Sequence, residues 1–305
     1  MFRSDSLSRL TDFADLLDHV VRDGKFYAVG KAETKGSNLL VPVWDTNYVP
    51  AILADQRVSS IICTPDIVDQ IPEQYALAVS EKPQVATMLI AKSLAEIPEY
   101  FWKNFDSVIP ESCTIHPTAH IDPKNVVLGE RCVVSANAVI LEKTIMGSDV
   151  TIGPNSSIGC DAFESYELDG KHMLMPQVGG VKIGDRTVVL ANTCVVRSSF
   201  ASAWTHIEED CIIDNLIHVA HDAFIGARSR VGACAEISGR VVIGPDSYVA
   251  PTASIINGIN LGAESYVTMG SMVTRDVEAG QRVTGYFAEE HHMFMKRLKL
   301  RHKSI

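Results

Sequence analysis

The chain has 305 residues, enough for two cores, and carries 27 Lys and Arg against 37 Asp and Glu, a net charge of -10. That balance argues against nucleic-acid binding. No apolar run approaches the ~20 residues of a membrane span, and the start Met-Phe-Arg-Ser-Asp-Ser lacks the apolar core of a signal peptide. A cytoplasmic protein is the expectation. Seven cysteines without a CxxC spacing give neither a disulfide framework nor a zinc site. Cys132 and Cys211 sit at small-residue positions and read as reduced core residues.

In chain order, residues 6–22 space Leu7, Leu10, Phe13, Leu16, Leu17 and Val20 three and four apart, which predicts an amphipathic helix closing near Gly24. Phe26 to Val29, Val58 to Cys63 and Tyr75 to Val79 read as strands, and Pro83 to Ala95 as a helix. Such alternation predicts a small α/β domain over residues 1–110, suited to holding a nucleotide or substrate. Residues 98–117 look like the connection to a second domain.

From Ile115 the period becomes six. Ile115 and Ile121 open it, and after a one-residue slip Leu128, Val134, Ile140, Met146, Ile152 and Ile158 continue. The phase resumes at Ile183, Val189 and Val195. It then runs unbroken through twelve aliphatics from Ile207 to Val273. This is the hexapeptide signature of a left-handed parallel β-helix over residues 111–285, three hexads to a triangular coil, with coils stacked ~4.8 Å apart. Residues 164–181 carry no hexad phase and read as an insertion loop, a place where binding residues gather. The pattern ends at Glu278-Ala279-Gly280. Residues 286–305 read as a short basic helix in which Lys296 and Arg297 begin a run of cations; capping the open edge of the prism is its plainer role.

A β-helix does not name a function, so the flanks must. His221 is the third residue of its hexad and points outward near a corner, where a neutral imidazole can take a proton from an attacking amine or hydroxyl. The residue stacked on it, 18 positions on, is Gly239. With no side chain there, a carbonyl can approach the backbone N–H as in an oxyanion hole; a simple turn is the other reading. Asn215 holds the same place one hexad before His221, and Asp214 adjoins it. Both could orient a substrate, or merely serve a corner. Zinc needs three suitable ligands; His206, His218 and His221 are the only nearby imidazoles, and His218 and His221 are evenly explained otherwise, which sets a γ-carbonic-anhydrase-like enzyme aside as a minor alternative.

Several stretches are similar to a known family: Ile115-His116-Pro117-Thr118-Ala119-His120-Ile121-Asp122-Pro123, Gly159-Cys160-Asp161-Ala162-Phe163, Pro176-Gln177-Val178-Gly179-Gly180-Val181-Lys182-Ile183-Gly184-Asp185, and Asp214-Asn215 through Ala220-His221. With the order of α/β domain, prism and basic tail, the chain resembles the UDP-3-O-acylglucosamine N-acyltransferases of lipid A synthesis over nearly its whole length. The resemblance implies an N-acyltransferase that moves an acyl group from a coenzyme A or acyl-carrier-protein thioester to a nucleotide-linked amino sugar. It implies no permanently bound cofactor, and a homotrimer with sites between subunits. It makes His221 the general base and Gly239 the oxyanion donor. It places His218, Asp214, Asn215, Phe163 and Gln177 about the acceptor and Tyr48 against the base. Met272 would limit acyl length, and Lys296 and Arg297 would meet the donor. Pro42 stands near the family's stacking Phe, and Asn257-Gly258-Ile259 replaces its Asn-Gly-His. The chain also resembles acetyl-CoA-dependent acetyltransferases of other sugars, N- or O-directed, built on the same plan.

Overall fold

The protein is described here by a computed structural model covering residues 7–30, 37–168, 170–285 and 290–302. From Thr114 the backbone winds into a triangular prism whose three parallel sheets hold seven, nine and eight strands. Each strand is two to four residues long and pairs with the strand one coil away, 18 residues on, as Val126 with Thr144 or Arg230 with Tyr248. We call the sheets face one (seven strands), face two (nine) and face three (eight).

The hexad dictates this shape residue by residue. The periodic aliphatic points inward, and Ile152, Val189, Val219, Ile243 and their equivalents form one continuous dry core. Three residues on, the chain must turn a corner, and it does so with φ near +60° at Arg131, Asn137, Lys143, Asp149 and Asn155, then at Arg186 onward. The left-handed region costs an L residue roughly 1–2 kcal/mol, which the ladder of interstrand hydrogen bonds offsets. The next position is buried and mostly small, and at several rungs its polar atom ties to a carbonyl of the adjacent coil. Cys132 Sγ donates to Gly147 O at 3.1 Å, Cys211 Sγ to Gly226 O at 3.2 Å and Ser229 Oγ to Gly244 O at 3.0 Å. Burial raises the Cys132 thiol pKa and pushes that of Cys211 up to about 11, so both are unreactive.

Two coils depart from the count. Residues 164–181 are not the expected loop: Ser165–Leu168 and Lys171–Leu174 pair as an antiparallel hairpin, and Gly180–Ile183 already belongs to face one. The second departure is a looped-out hexad. Cys194 pairs with His218 across 24 residues instead of 18, and the extra segment, 198–203, leaves the prism. The prism also runs past Gly280, because Arg282–Val283 adds a last strand to face two.

The N-terminal domain holds a five-stranded sheet in the order 19–22, 76–79, 58–63, 39–43, 28–29, with the helix Pro83–Glu96 packed on it. The expected first helix is absent. Leu10–Leu16 is a 3-10 segment broken at Phe13, and His19–Arg22 is a strand antiparallel to Ala76–Val79. The adjacent β-branched Val20 and Val21 suit that extended backbone, and the apolar spacing of three and four also fits a tight turn followed by a strand. The strand Leu39–Val43 had no alternation to reveal it. Its Pro42 is tolerated because the neighbour Ala28–Val29 pairs only as far as Leu40. The domain's core includes Met175 from the insertion and Phe200, Ala201 and Ala203 from the looped-out hexad, so the two units share buried side chains.

Helix His291–His302 follows the prism; the side chain of Arg297 lies outside the described residues, as do residues 286–289 and Lys303. Among the described residues no helix is long and apolar enough to cross a membrane.

Candidate functional site

His221 occupies the corner where face three, at His218–Val219, turns into face one, at Phe224–Ile225. The residue is 8 % exposed. Nδ1 lies 2.9 Å from Asp222 Oδ2. A carboxylate oxygen only accepts, so this contact puts the proton of neutral imidazole on Nδ1 and leaves the Nε2 lone pair free. Asp222 sits at the corner with φ of +60° and is held by two contacts, its N–H donated to Thr205 Oγ1 at 2.9 Å and its Oδ1 accepting the Ser198 hydroxyl.

Gly239 lies one coil along in the ladder that pairs His218 with Glu236 and Val219 with Ile237. A Cβ at residue 239 would stand 2.5 Å from His221 Nε2, so glycine is what lets the imidazole lie flat against this backbone. Its N–H matters as well. The second residue after an inward aliphatic often has an amide that the ladder leaves over; at some corners, such as Ala136, Glu209 and Ala263, no acceptor among the described residues takes it, and at others a side chain does. Asn215 Oδ1 accepts from Ala191 at 3.0 Å, Glu208 Oε2 from Ala227 at 2.9 Å and Asp214 Oδ2 from Ala233 at 3.2 Å. At Gly239 no acceptor among the described residues does so. A basic ring nitrogen and an unspent N–H thus face the same space, an arrangement that can remove a proton and hold a developing oxyanion together.

The other residues singled out in the sequence lie at different distances from this centre. His218 is half-buried in the outward column Cys194, His218, Glu236, Ser254 and Met272 on face three. Met272, 73 % exposed, is three rungs from His218, roughly 14 Å at the interstrand spacing. Asp214 and Asn215 are occupied in lacing coils. Asp214 Oδ1 takes both Asn215 N–H groups at 2.7 Å, and their remaining oxygens take the amides just described. Phe163 stands 88 % exposed at the root of the insertion, whereas Gln177 at its end is buried. Gln177 Nε2 donates to Met175 O at 2.9 Å, while its Oε1 has no partner among the described residues. Tyr48 is 53 % exposed on the N-terminal domain, far along the chain from the dyad. Lys296 lies exposed on the last helix. His206 packs edge-on against Phe224, and among the described residues no three His, Cys, Asp or Glu side chains gather as a metal-ligand set.

Sequence reading passed over several neighbours. Trp44 packs against Tyr48 with ring centroids 5.9 Å apart, making a two-ring shelf; its place four residues upstream was the available signal. Asp222 directly follows His221. Arg197, two residues beyond the pair Val195–Val219, is pinned by Gly159 O at 2.6 Å and Asp161 and lies near Glu142, which Lys143 also approaches. Burial lowers the Lys143 pKa although Glu142 opposes the shift. Cys160 and Cys194 bring their sulfurs to 3.0 Å, so one thiol proton is shared, Cys160 being lowered by the contact and Cys194 raised. Nothing in the spacing marks these groups, because both depend on where the two irregular coils fold back.

A hexapeptide-repeat prism carrying a His–Asp pair against a side-chain-free backbone is a build that fits an acyltransferase. Comparison with known proteins agrees. The chain is 30 % identical over 318 residues to UDP-3-O-acylglucosamine N-acyltransferase 2 of Legionella pneumophila (strain Paris), spanning 91 % of this chain and 88 % of that one. It is 43 % identical over 86 residues to the UDP-3-O-acylglucosamine N-acyltransferase of Methylacidiphilum infernorum, a match covering 28 % of this chain and 24 % of that one. Among solved structures, the Arabidopsis UDP-N-acetylglucosamine acyltransferase superposes with a TM-score of 0.51 at 22 % identity, over 63 % of this chain and 65 % of that one, a likeness of fold. No protein-family model matches the chain. The chain belongs to the UDP-3-O-acylglucosamine N-acyltransferase family.

Proposed function

We propose that the protein transfers an acyl group from a carrier-protein or coenzyme A thioester to the amino group of UDP-3-O-acylglucosamine. The observation that carries this is the pairing of His221 Nε2 with the unspent Gly239 N–H, set in a chain that matches a named relative over nearly its full length. The amine nitrogen attacks the thioester carbonyl while His221 Nε2 takes its proton. Asp222 stabilises the resulting imidazolium, and the Gly239 N–H holds the oxyanion. Collapse breaks the C–S bond, and His221 returns the proton to the leaving thiolate, giving amide and free thiol.

The exposed shelf of Trp44 and Tyr48 suits stacking of the uracil, since any base offers a π face. Gln177, with a buried oxygen left unpartnered, and Phe163 would wall the acceptor side, with His218 beside the dyad and Asp214 and Asn215 holding the corner before it. Met272 would meet the end of an acyl chain running down face three, and the cations at Lys296 and Arg297 would meet phosphate or an acidic carrier. Ile212, Leu216 and Met269 expose apolar surface along the corner between faces two and three, which supports burial against neighbouring copies in a cytoplasmic homotrimer.

Purified protein should consume long-chain acyl carrier protein in the presence of UDP-3-O-acylglucosamine, and His221→Ala should lose about 10²–10⁴-fold in kcat. Met272→Gly should shift the preference towards longer chains. Full activity of His221→Ala would overturn the assignment of the base. Use of acetyl-CoA alone would favour an acetyltransferase of another sugar.

A further inference from the structure

We propose that Ser198 is a positioning residue for the His221–Asp222 pair, delivered to it by the hexad that leaves the prism. The inference rests on the reading of His221 as general base.

The segment 198–203 gives the prism none of the inward aliphatics of its neighbours; its apolar residues go to the N-terminal core instead. Ser198 lies at its start, fully buried, with its hydroxyl donated to Asp222 Oδ1. The alternative acceptor, Phe200 O, is at 3.5 Å, a poor competitor for a single hydroxyl proton. The other carboxylate oxygen, Oδ2, is the one facing His221 Nδ1 at 2.9 Å. Each oxygen of Asp222 therefore has its own partner. Rotation about the Cβ–Cγ bond, which would bring the carboxylate out of line with Nδ1, breaks both contacts together.

The seat of Ser198 is equally specific. Its backbone makes two hydrogen bonds with the closing strand of the insertion: Gly179 N–H donates to Ser198 O at 3.0 Å, and Ser198 N–H to Gly180 O at 3.2 Å. A Cβ at residue 179 would meet Ser198 Cβ at 2.5 Å and Ser198 O at 2.7 Å. The Gln177-Val178-Gly179 motif thus has a structural reason for its glycine: only a residue without a side chain lets the strap close down far enough for the hydroxyl to reach Asp222. Thr205, where the segment rejoins face one, fixes the Asp222 backbone from the other side.

The test is a double-mutant cycle in acyl transfer to UDP-3-O-acylglucosamine, together with ¹⁵N NMR of the His221 ring. Ser198→Ala is expected to lower kcat about tenfold, one well-placed hydrogen bond, with KM for either substrate changed less than about twofold. In an Asp222→Asn background the same change should cost less than about twofold, because Ser198 acts through the carboxylate. The wild-type ring should show the Nδ1–H tautomer, and Ser198→Ala a mixture. Ser198→Cys, which keeps the volume but donates weakly, should fall between. Full kcat in Ser198→Ala, or losses that multiply in the double variant, would overturn the proposal. If the wild type transfers no acyl group to this acceptor, the functional reading falls. The tautomer comparison alone then decides the role of Ser198.

Discussion

At the scale of single residues, the site depends on a side chain that is absent. Alanine at position 239 fits the backbone, which lies outside the left-handed region there, but its Cβ would stand 2.5 Å from His221 Nε2. The imidazole must swing away, taking the base from the amine and crowding the N–H that faces the oxyanion. Gly239→Ala should therefore cost about 10²–10³-fold in kcat, the scale of losing an oxyanion donor. Its unfolding free energy should change by less than about 1 kcal/mol, since only a side-chain tip is displaced. A steady-state assay beside a urea titration separates the two effects; equal losses in both would remove the catalytic reading. His221 and Gly239 were legible in the sequence because an 18-residue coil turns distance along the chain into contact. Ser198 was not: its contact with Asp222 exists only because one hexad is missing from the prism, and a missing hexad has no periodicity to read.

Among elements, the corners of the prism carry a stack of opposite charges. Arg131 clasps Asp149, Arg186 clasps Asp210 and Arg228 clasps Asp246, each through two nitrogens at 2.7 to 2.8 Å. The guanidinium beside each aspartate holds its carboxyl below the usual 3.8. A carboxylate whose pKa is depressed on folding adds stability that is present above its unfolded value and is lost as pH falls through the folded one. Thermal midpoints should thus hold steady above about pH 5 and fall below about pH 4. A variant with Arg131, Arg186 and Arg228 all changed to Gln should be less stable at neutral pH, and its midpoint should approach that of the parent in acid. An unchanged gap across that range would remove the corner pairs from the acid response. The hexads were readable here because a two-residue strand and a corner repeat with one phase. The N-terminal elements were not, since Leu7, Leu10 and Phe13 satisfy a helical spacing while a strand at His19–Arg22 wins by pairing with Ala76–Val79, a partner distant in the sequence.

For the whole molecule, the shared core between the two units sets what moves together. Phe200 is 4 % exposed among residues of the N-terminal domain although it is borne by the prism. Phe200→Ala should lower the stability of that domain by about 3–5 kcal/mol, the usual cost of removing a buried aromatic ring. Hydrogen exchange should quicken in Leu39–Val43 and Val58–Cys63 while strands such as Tyr248–Val249 and Tyr266–Val267 stay protected. Uniform quickening along the prism would mean that the two units do not unfold separately.

The looped-out hexad has one more consequence, for anyone recombining parts of this protein. By chain position the N-terminal module ends near residue 110, and a graft made there looks clean. Its buried surface nevertheless continues through Met175 and on to Phe200, Ala201 and Ala203, whose segment begins with the serine that steadies Asp222. A foreign module joined at 110 would meet those side chains as strangers and lift the strap from its seat. A working hybrid would have to carry three separate stretches from one parent.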